Sequence, residues 1–218
     1  MSLSLGNTSI GELYVGSNKI AQAYLGSNLV YQSASPVDPY NPLGLPANTV
    51  RVRTNNGSVP SKILASYETA TLVPGTSDVY DVYKSGTDFS TLLYASSNVI
   101  EVLGANTSNV TNMNDMFRDC TSLTNVPLFD TSNVTTMGDM FRNTSLTNVP
   151  LFNTSNVTNM NYTFRDCINV QSGALALYQQ ASTQTNPPST HTGTFKNCGS
   201  NTTTGAAELA QIPKSWKS

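Results

Sequence analysis

A stretch of roughly 24 residues occurs three times in succession, and a chain that repeats at this period folds by stacking its copies. Thr107-Ser108-Asn109-Val110-Thr111 returns as Thr131-Ser132-Asn133-Val134-Thr135 and as Thr154-Ser155-Asn156-Val157-Thr158. The first unit reads TSNVTNMNDMFRDCTSLTNVPLFD. The second reads TSNVTTMGDMFRNTSLTNVPLFN, one residue shorter where Cys120 would fall. The third, TSNVTNMNYTFRDCINVQS, loses the pattern after Cys167. A degenerate unit lies one period upstream: Leu92-Leu93-Tyr94 align with Met116-Phe117-Arg118, and Val99 and Val102 with Leu123 and Val126. A last echo, Thr194-Phe195-Lys196-Asn197-Cys198, follows after a longer interval.

The apolar positions say what each unit builds. Val110, Met113, Met116 and Phe117 share one face of a short helix of about two turns. Leu123, Val126 and Leu128 mark an extended stretch closed by Phe129. One such helix and strand cannot bury their apolar faces alone, so the expected fold is a mixed α/β solenoid over residues 84–170. Pro127 and Pro150 each remove a ladder donor, which predicts short strands.

These units resemble the BspA-like leucine-rich repeat family of bacterial surface proteins and lipoproteins. Its pattern is Asn-Val-Thr-x-Met, then Met-Phe, then Cys, and the resemblance covers residues 83–170. It implies a right-handed leucine-rich solenoid serving adhesion or protein binding. The chain departs from the family in having about three clear units and no secretory or lipoprotein signal at Met1-Ser2-Leu3-Ser4-Leu5-Gly6.

A second repeat occupies the N-terminus. Leu5-Gly6-Asn7-Thr8-Ser9-Ile10, Val15-Gly16-Ser17-Asn18-Lys19-Ile20 and Leu25-Gly26-Ser27-Asn28-Leu29-Val30 recur at one regular spacing, and Gly-Ser-Asn between apolar pairs is hairpin chemistry. Residues 1–34 read as a small β-meander with strands at Glu12–Val15 and Gln22–Leu25. A sheet that small is marginal alone, so it calls for completion by other copies, such as a homotrimer, or by a docking partner. This pattern, with Tyr14, Tyr24 and Tyr31 among its strands, is similar to segments of bacteriophage virion proteins. The similarity implies attachment to other virion proteins through residues 1–34.

Residues 35–48 carry Pro36, Pro39, Pro42 and Pro46 and form an extended spacer. Residues 49–83 alternate at Thr49–Arg53, Thr69–Val73 and Val79–Tyr83 and predict a β-rich N-terminal cap. Residues 171–218 predict a C-terminal cap with helices over 174–180 and 204–211, the second stopped near Pro213.

Composition excludes several functions. Charged residues make up 11% and the net charge is −2, so the chain lacks the basic surface that nucleic acid requires. No run approaches the roughly 18 apolar residues of a membrane span. Asn, Thr and Ser make up roughly a third of the chain, which suits exposed repeat turns. Cys120, Cys167 and Cys198 cannot all pair and form no CxxC, so they read as buried free thiols. The single His191 lies in a loop after Pro187-Pro188 and gives no support for a nucleophilic relay.

The candidate ligand site is a row. Arg118, Arg142 and Arg165 are equivalent, Lys196 extends them, and Asp119 and Asp166 sit beside two of them. Stacked guanidinium groups suit an acidic glycan or protein. Equally, the aspartates neutralise them as a solvated face. Asn109, Asn133 and Asn156 each begin Asn-Val-Thr, which reads as repeat consensus and turn capping rather than glycosylation. Asp115 and Asp139 are equivalent, but Tyr162 interrupts them, so no metal ladder or cofactor is expected.

The expected function is therefore non-enzymatic. The chain reads as a bacteriophage virion component, of tail fibre, tail tip or head fibre, assembled in the host cytoplasm. It would present the repeats to a host or environmental protein or glycan. The alternative is a cellular surface adhesin or interaction module. A depolymerase would need Asp119 and Asp166 paired in a cleft.

Overall fold

The computed structural model describes residues 38–61 and 69–218 in full, and the backbone of residues 14–15, 18–19, 22–25 and 28–32. The chain divides into two compact units, Met1–Asp38 and Pro39–Ser218. In the first, β1 (Tyr14–Val15) pairs antiparallel with β2 (Asn18–Lys19), and β3 (Gln22–Leu25) pairs antiparallel with β4 (Asn28–Gln32). These are two separate hairpins among the described residues, where one meander was expected.

The second unit begins with a four-stranded antiparallel sheet of order β6-β7-β5-β8. Its strands are β5 (Thr49–Thr54), β6 (Thr69–Leu72), β7 (Val79–Tyr83) and β8 (Val99–Asn106). Alternation assigns the faces: Val50 and Val52 point into the core while Arg51 and Arg53 point out. On the outer face Arg51 donates to both carboxylate oxygens of Asp81, at 2.7 and 2.8 Å, and Arg53 to Glu101 at 3.0 Å. The repeat alignment makes β8 part of a degenerate unit, but it pairs along β5.

The repeats do not build the expected α/β solenoid. No α-helix forms from Val110 to Arg118; the segment is a series of turns. The reason is two left-handed residues in each unit, at Asp115 and Asp119 (φ 55° and 59°), Asp139 and Asn143 (54° and 55°), and Tyr162 and Asp166 (57° and 60°). An α-helix needs φ near −60° at every residue, so neither position can lie inside one. The expected strands shrink as well. Around Leu123–Phe129 and Leu146–Phe152, pairing is reduced to the single bridges Glu101↔Asn125 and Asn148↔Ser172, just before Pro127 and Pro150. Regular structure in this mostly β unit is the sheet and two helices, α1 (Ala174–Thr183) and α2 (Thr203–Gln211). Apart from β8, which comes from the expected repeat region, its regular elements thus lie in the segments expected to act as caps.

The units nevertheless keep one register. Parallel bridges run Asp88↔Asn112, Asn112↔Thr136, Thr136↔Asn159 and Asn159↔Thr190. Amides bond onward: Met113 N to Thr136 O at 3.0 Å, Met137 N to Asn159 O at 2.9 Å, and Met160 N to Thr190 O at 2.8 Å. Equivalent side chains therefore stack. The rings of Phe117, Phe141, Phe164 and Phe195 lie 5.4, 5.3 and 6.0 Å apart in sequence, and Phe129 and Phe152 5.6 Å apart, all fully buried. Offset stacking at such distances adds to the burial of area. β8 joins the stack through Val102 N to Asn125 O at 3.0 Å.

The missing residue of the second unit is not at the cysteine. Thr144 takes the place of Cys120, buried, with its hydroxyl on Phe141 O at 2.9 Å and 3.3 Å from Cys167 Sγ. Ser145 Oγ then donates to Thr121 O, so the shortening falls at Ser122 in the exposed turn.

Helix ends are closed by side chains. Thr202 Oγ1 accepts from Gly205 N at 3.0 Å and donates to Val170 O at 2.6 Å, capping α2. A Cβ at position 205 would overlap the Val170 carbonyl oxygen, which demands glycine. Glu208 of α2 accepts from Gly173 N and Leu175 N at 3.3 and 3.1 Å, covering the start of α1. Beyond α2, Trp216 O accepts from Phe195 N at 3.0 Å, and the Trp216 ring stacks on His191 at 4.2 Å. No helix among the described residues is long and apolar enough to cross a membrane.

Candidate functional site

The segment Asp-Met-Phe-Arg-Asp makes two consecutive tight turns, and its chemistry follows from them. Asp and Asn tolerate positive φ better than other side chains. They supply the left-handed positions of the three units except at Tyr162, while the residue before the second one points outward. The result is an outer column of Tyr94, Arg118, Arg142, Arg165 and Lys196. Its register is set by Ala95 N to Arg118 O at 2.7 Å, Asp119 N to Arg142 O at 2.9 Å, Asn143 N to Arg165 O at 2.9 Å and Asp166 N to Lys196 O at 2.8 Å. Lys196 is therefore in register despite its longer interval, because α1 and its loop leave the stack and return.

The acids lie on either side of this column. Arg118 Nη1 donates to Asp115 Oδ1 at 2.9 Å, and Arg118 Nε, shielded from solvent, has Asp119 Oδ2 at 3.5 Å. Arg142 Nη1 donates to Asp139 Oδ1 at 3.1 Å, and Arg165 Nε to Asp166 Oδ2 at 3.2 Å. The hydrogen bond to Asp115 holds the Arg118 guanidinium above its ordinary range against the opposing effect of burial. Tyrosines flank both ends: Arg118 lies 5.7 Å from the Tyr94 ring and Arg165 5.3 Å from Tyr162. Half-exposed ion pairs of this kind contribute about 0–1 kcal/mol each. The band is a ribbon of alternating charge rather than a cationic stripe. Asp115 and Asp139 gain their role here as ion-pair partners, a role their spacing of three residues from each arginine makes readable.

Asp119 and Asp166 are not adjacent. Asn143 stands between them in the column and donates to Asp119 Oδ1 at 2.9 Å, and Asn197 donates to Asp166 Oδ1 at 2.8 Å. They are two rungs apart. The three thiols are free and buried. Burial pushes Cys120 up to about 12 and Cys167 to about 11, and raises Cys198 as well. Among the described residues no three His, Cys, Asp or Glu side chains converge as metal ligands. Tyr14, Tyr24 and Tyr31 fall in β1, β3 and β4, and their side chains lie outside the described residues.

Residues 79–198 match a family model described as a Mycoplasma protein of unknown function, DUF285. The chain belongs to the DUF285 family. Within it, the DUF285 region runs from the start of β7 through the repeats and α1 to Cys198. No curated protein and no solved structure matched the chain.

Proposed function

We propose that this DUF285 chain is a non-enzymatic component of a bacteriophage particle. Residues 1–34 attach it to other virion proteins, as a homotrimer, and the repeat body binds a protein or glycan of a host or environmental surface. The supporting observation is the division into a small hairpin unit and a second unit whose successive rungs place Arg118, Arg142, Arg165 and Lys196 in one outward column. The Gly-Ser-Asn repeat, similar to segments of virion proteins, favours the particle over other settings. On the body, the Arg118–Lys196 column with Asp119 and Asp166 is the binding surface put forward. Its arginines retain N–H groups beyond those their aspartates use.

Immunogold labelling of purified particles from the source, with antibody to residues 49–218, tests this reading. Label at the tail tip supports receptor binding, and label over the capsid supports a head fibre. Particles without label overturn it. The second reading, a cellular surface adhesin or interaction module of BspA-like type, is favoured by the Mycoplasma description of the family. It expects label on cells and none on particles.

A further inference from the structure

Cys167 and Cys198 stand in the same column on neighbouring rungs. The segments Phe164-Arg165-Asp166-Cys167 and Phe195-Lys196-Asn197-Cys198 run parallel: the Phe164 and Phe195 rings stack at 6.0 Å, and Asn197 donates to Asp166 Oδ1 at 2.8 Å. Backbone bonds bracket the two thiols, with Asp166 N to Lys196 O at 2.8 Å on one side and Gly199 N to Cys167 O at 3.0 Å on the other. Rungs bonded in this way place equivalent Cα atoms about 4.8 Å apart, inside the roughly 4.4–6.8 Å span of a disulfide. One rung back, Thr144 fills the same slot, and its Oγ1 lies 3.3 Å from Cys167 Sγ, so side chains in this column reach one another. Cys120 lies a further rung away, with Thr144 between it and Cys167, beyond the roughly 7 Å limit for a bridge. The column therefore holds one pair and one single thiol.

The pair also sits where a cross-link constrains the chain most. Neighbouring rungs are 24 residues apart at Asp119 and Asn143 but 31 apart at Asp166 and Asn197, because α1 and its loop leave the stack between them. Closing a longer loop costs more chain entropy, so a bond across it removes more freedom from the unfolded chain. We propose that Cys167 and Cys198 form a redox latch, which a small-molecule disulfide closes into a cystine tying the last rung to the one before it. One thiolate of the pair attacks a sulfur of the small disulfide and expels a thiolate, and the other thiolate of the pair then displaces the second. One S–S bond forms and one breaks; the pair loses two electrons, and the reagent leaves as two thiols carrying the pair's protons. Closure takes Cys167 Sγ off Phe141 O, 2.9 Å away, which keeps the Thr144 hydroxyl as its donor. Both thiols are buried, and α2 begins directly over them, with Thr202 N on Gly199 O at 3.1 Å, so exchange waits on local opening of this end. A reducing cytoplasm keeps the latch open, and an oxidising exterior closes it.

The test uses the full chain, held in neutral buffer with excess oxidised glutathione until no further change occurs, then denatured and alkylated with N-ethylmaleimide. One adduct per chain is expected, on Cys120, where the reduced chain takes three. Cleavage after Arg118, Arg142, Arg165, Lys196 and Lys214 puts each cysteine on its own tryptic peptide. Peptides 166–196 and 197–214 are expected to be joined, and 119–142 to be alone. The oxidised chain is expected to melt about 5–10 °C above the reduced one. Cys167→Thr, which copies Thr144, is expected to abolish that difference, and Cys120→Thr to keep it. Three adducts, glutathione retained in place of the link, a link through Cys120, or equal melting temperatures would each overturn the proposal. The link lies within one chain and leaves its mass that of a single copy, so it is read independently of trimer formation and of particle attachment.

Discussion

At the scale of single residues, left-handed backbone positions decide more than charge does. Val110, Met113, Met116 and Phe117 have helical spacing, and all four are buried as that spacing requires. Yet Asp115 and Asp119 at φ 55° and 59° turn the chain between them. The signal lies in the Asp and Asn residues that recur at these two places, but hydrophobic period alone does not weigh it. The arginines are legible as a row with Asp119 and Asp166 beside them; Asp115 and Asp139 draw the eye first as an interrupted metal ladder, although their spacing of three residues also pairs them with Arg118 and Arg142. The thiols are legible as buried. Their raised values fix a sign: the fold favours the protonated form, so that stability is full below 9.0 and is lost as pH rises toward about 12. Cys120→Thr, copying Thr144, is expected to lose less stability over this alkaline range than the parent in melting curves. Identical pH profiles would contradict it.

At the scale of elements, β5, β6 and β7 sit where alternation places them, α1 sits over the expected 174–180, and α2 ends just before Pro213. What the pattern misses is pairing. Val99 and Val102 match the repeat, but β8 has a long antiparallel neighbour in β5 and so becomes a true strand. Leu123 to Leu128 have no such neighbour, and Pro127 among them has no N–H to donate. Helix α2 depends on Thr202, whose hydroxyl serves two backbone groups at once. Thr202→Ala is expected to cost about 1–2 kcal/mol in urea unfolding with an unchanged slope. Thr202→Ser, which keeps both bonds, is expected to recover most of it.

At the scale of the whole molecule, the repeat units keep one register, but the body is a mostly β structure with a four-stranded antiparallel sheet and two α-helices, not the α/β solenoid that the period led one to expect. The core is continuous because every rung lends its phenylalanine to the next. Phe141 lies between Phe117 and Phe164 and also touches the Phe152 ring, at 5.4, 5.3 and 5.9 Å. Phe141→Ala is expected to cost about 3–5 kcal/mol by equilibrium denaturation. A loss near 1 kcal/mol would mean that the stack closes around the gap. The amides that bind rung to rung point along the stacking direction, so tension applied there loads one row of bonds at a time. Each row that parts frees one repeat, about 80 Å of slack. A pull along that direction is therefore expected to extend the body in steps of about 80 Å in single-molecule force spectroscopy, and a single all-or-none rupture would contradict it.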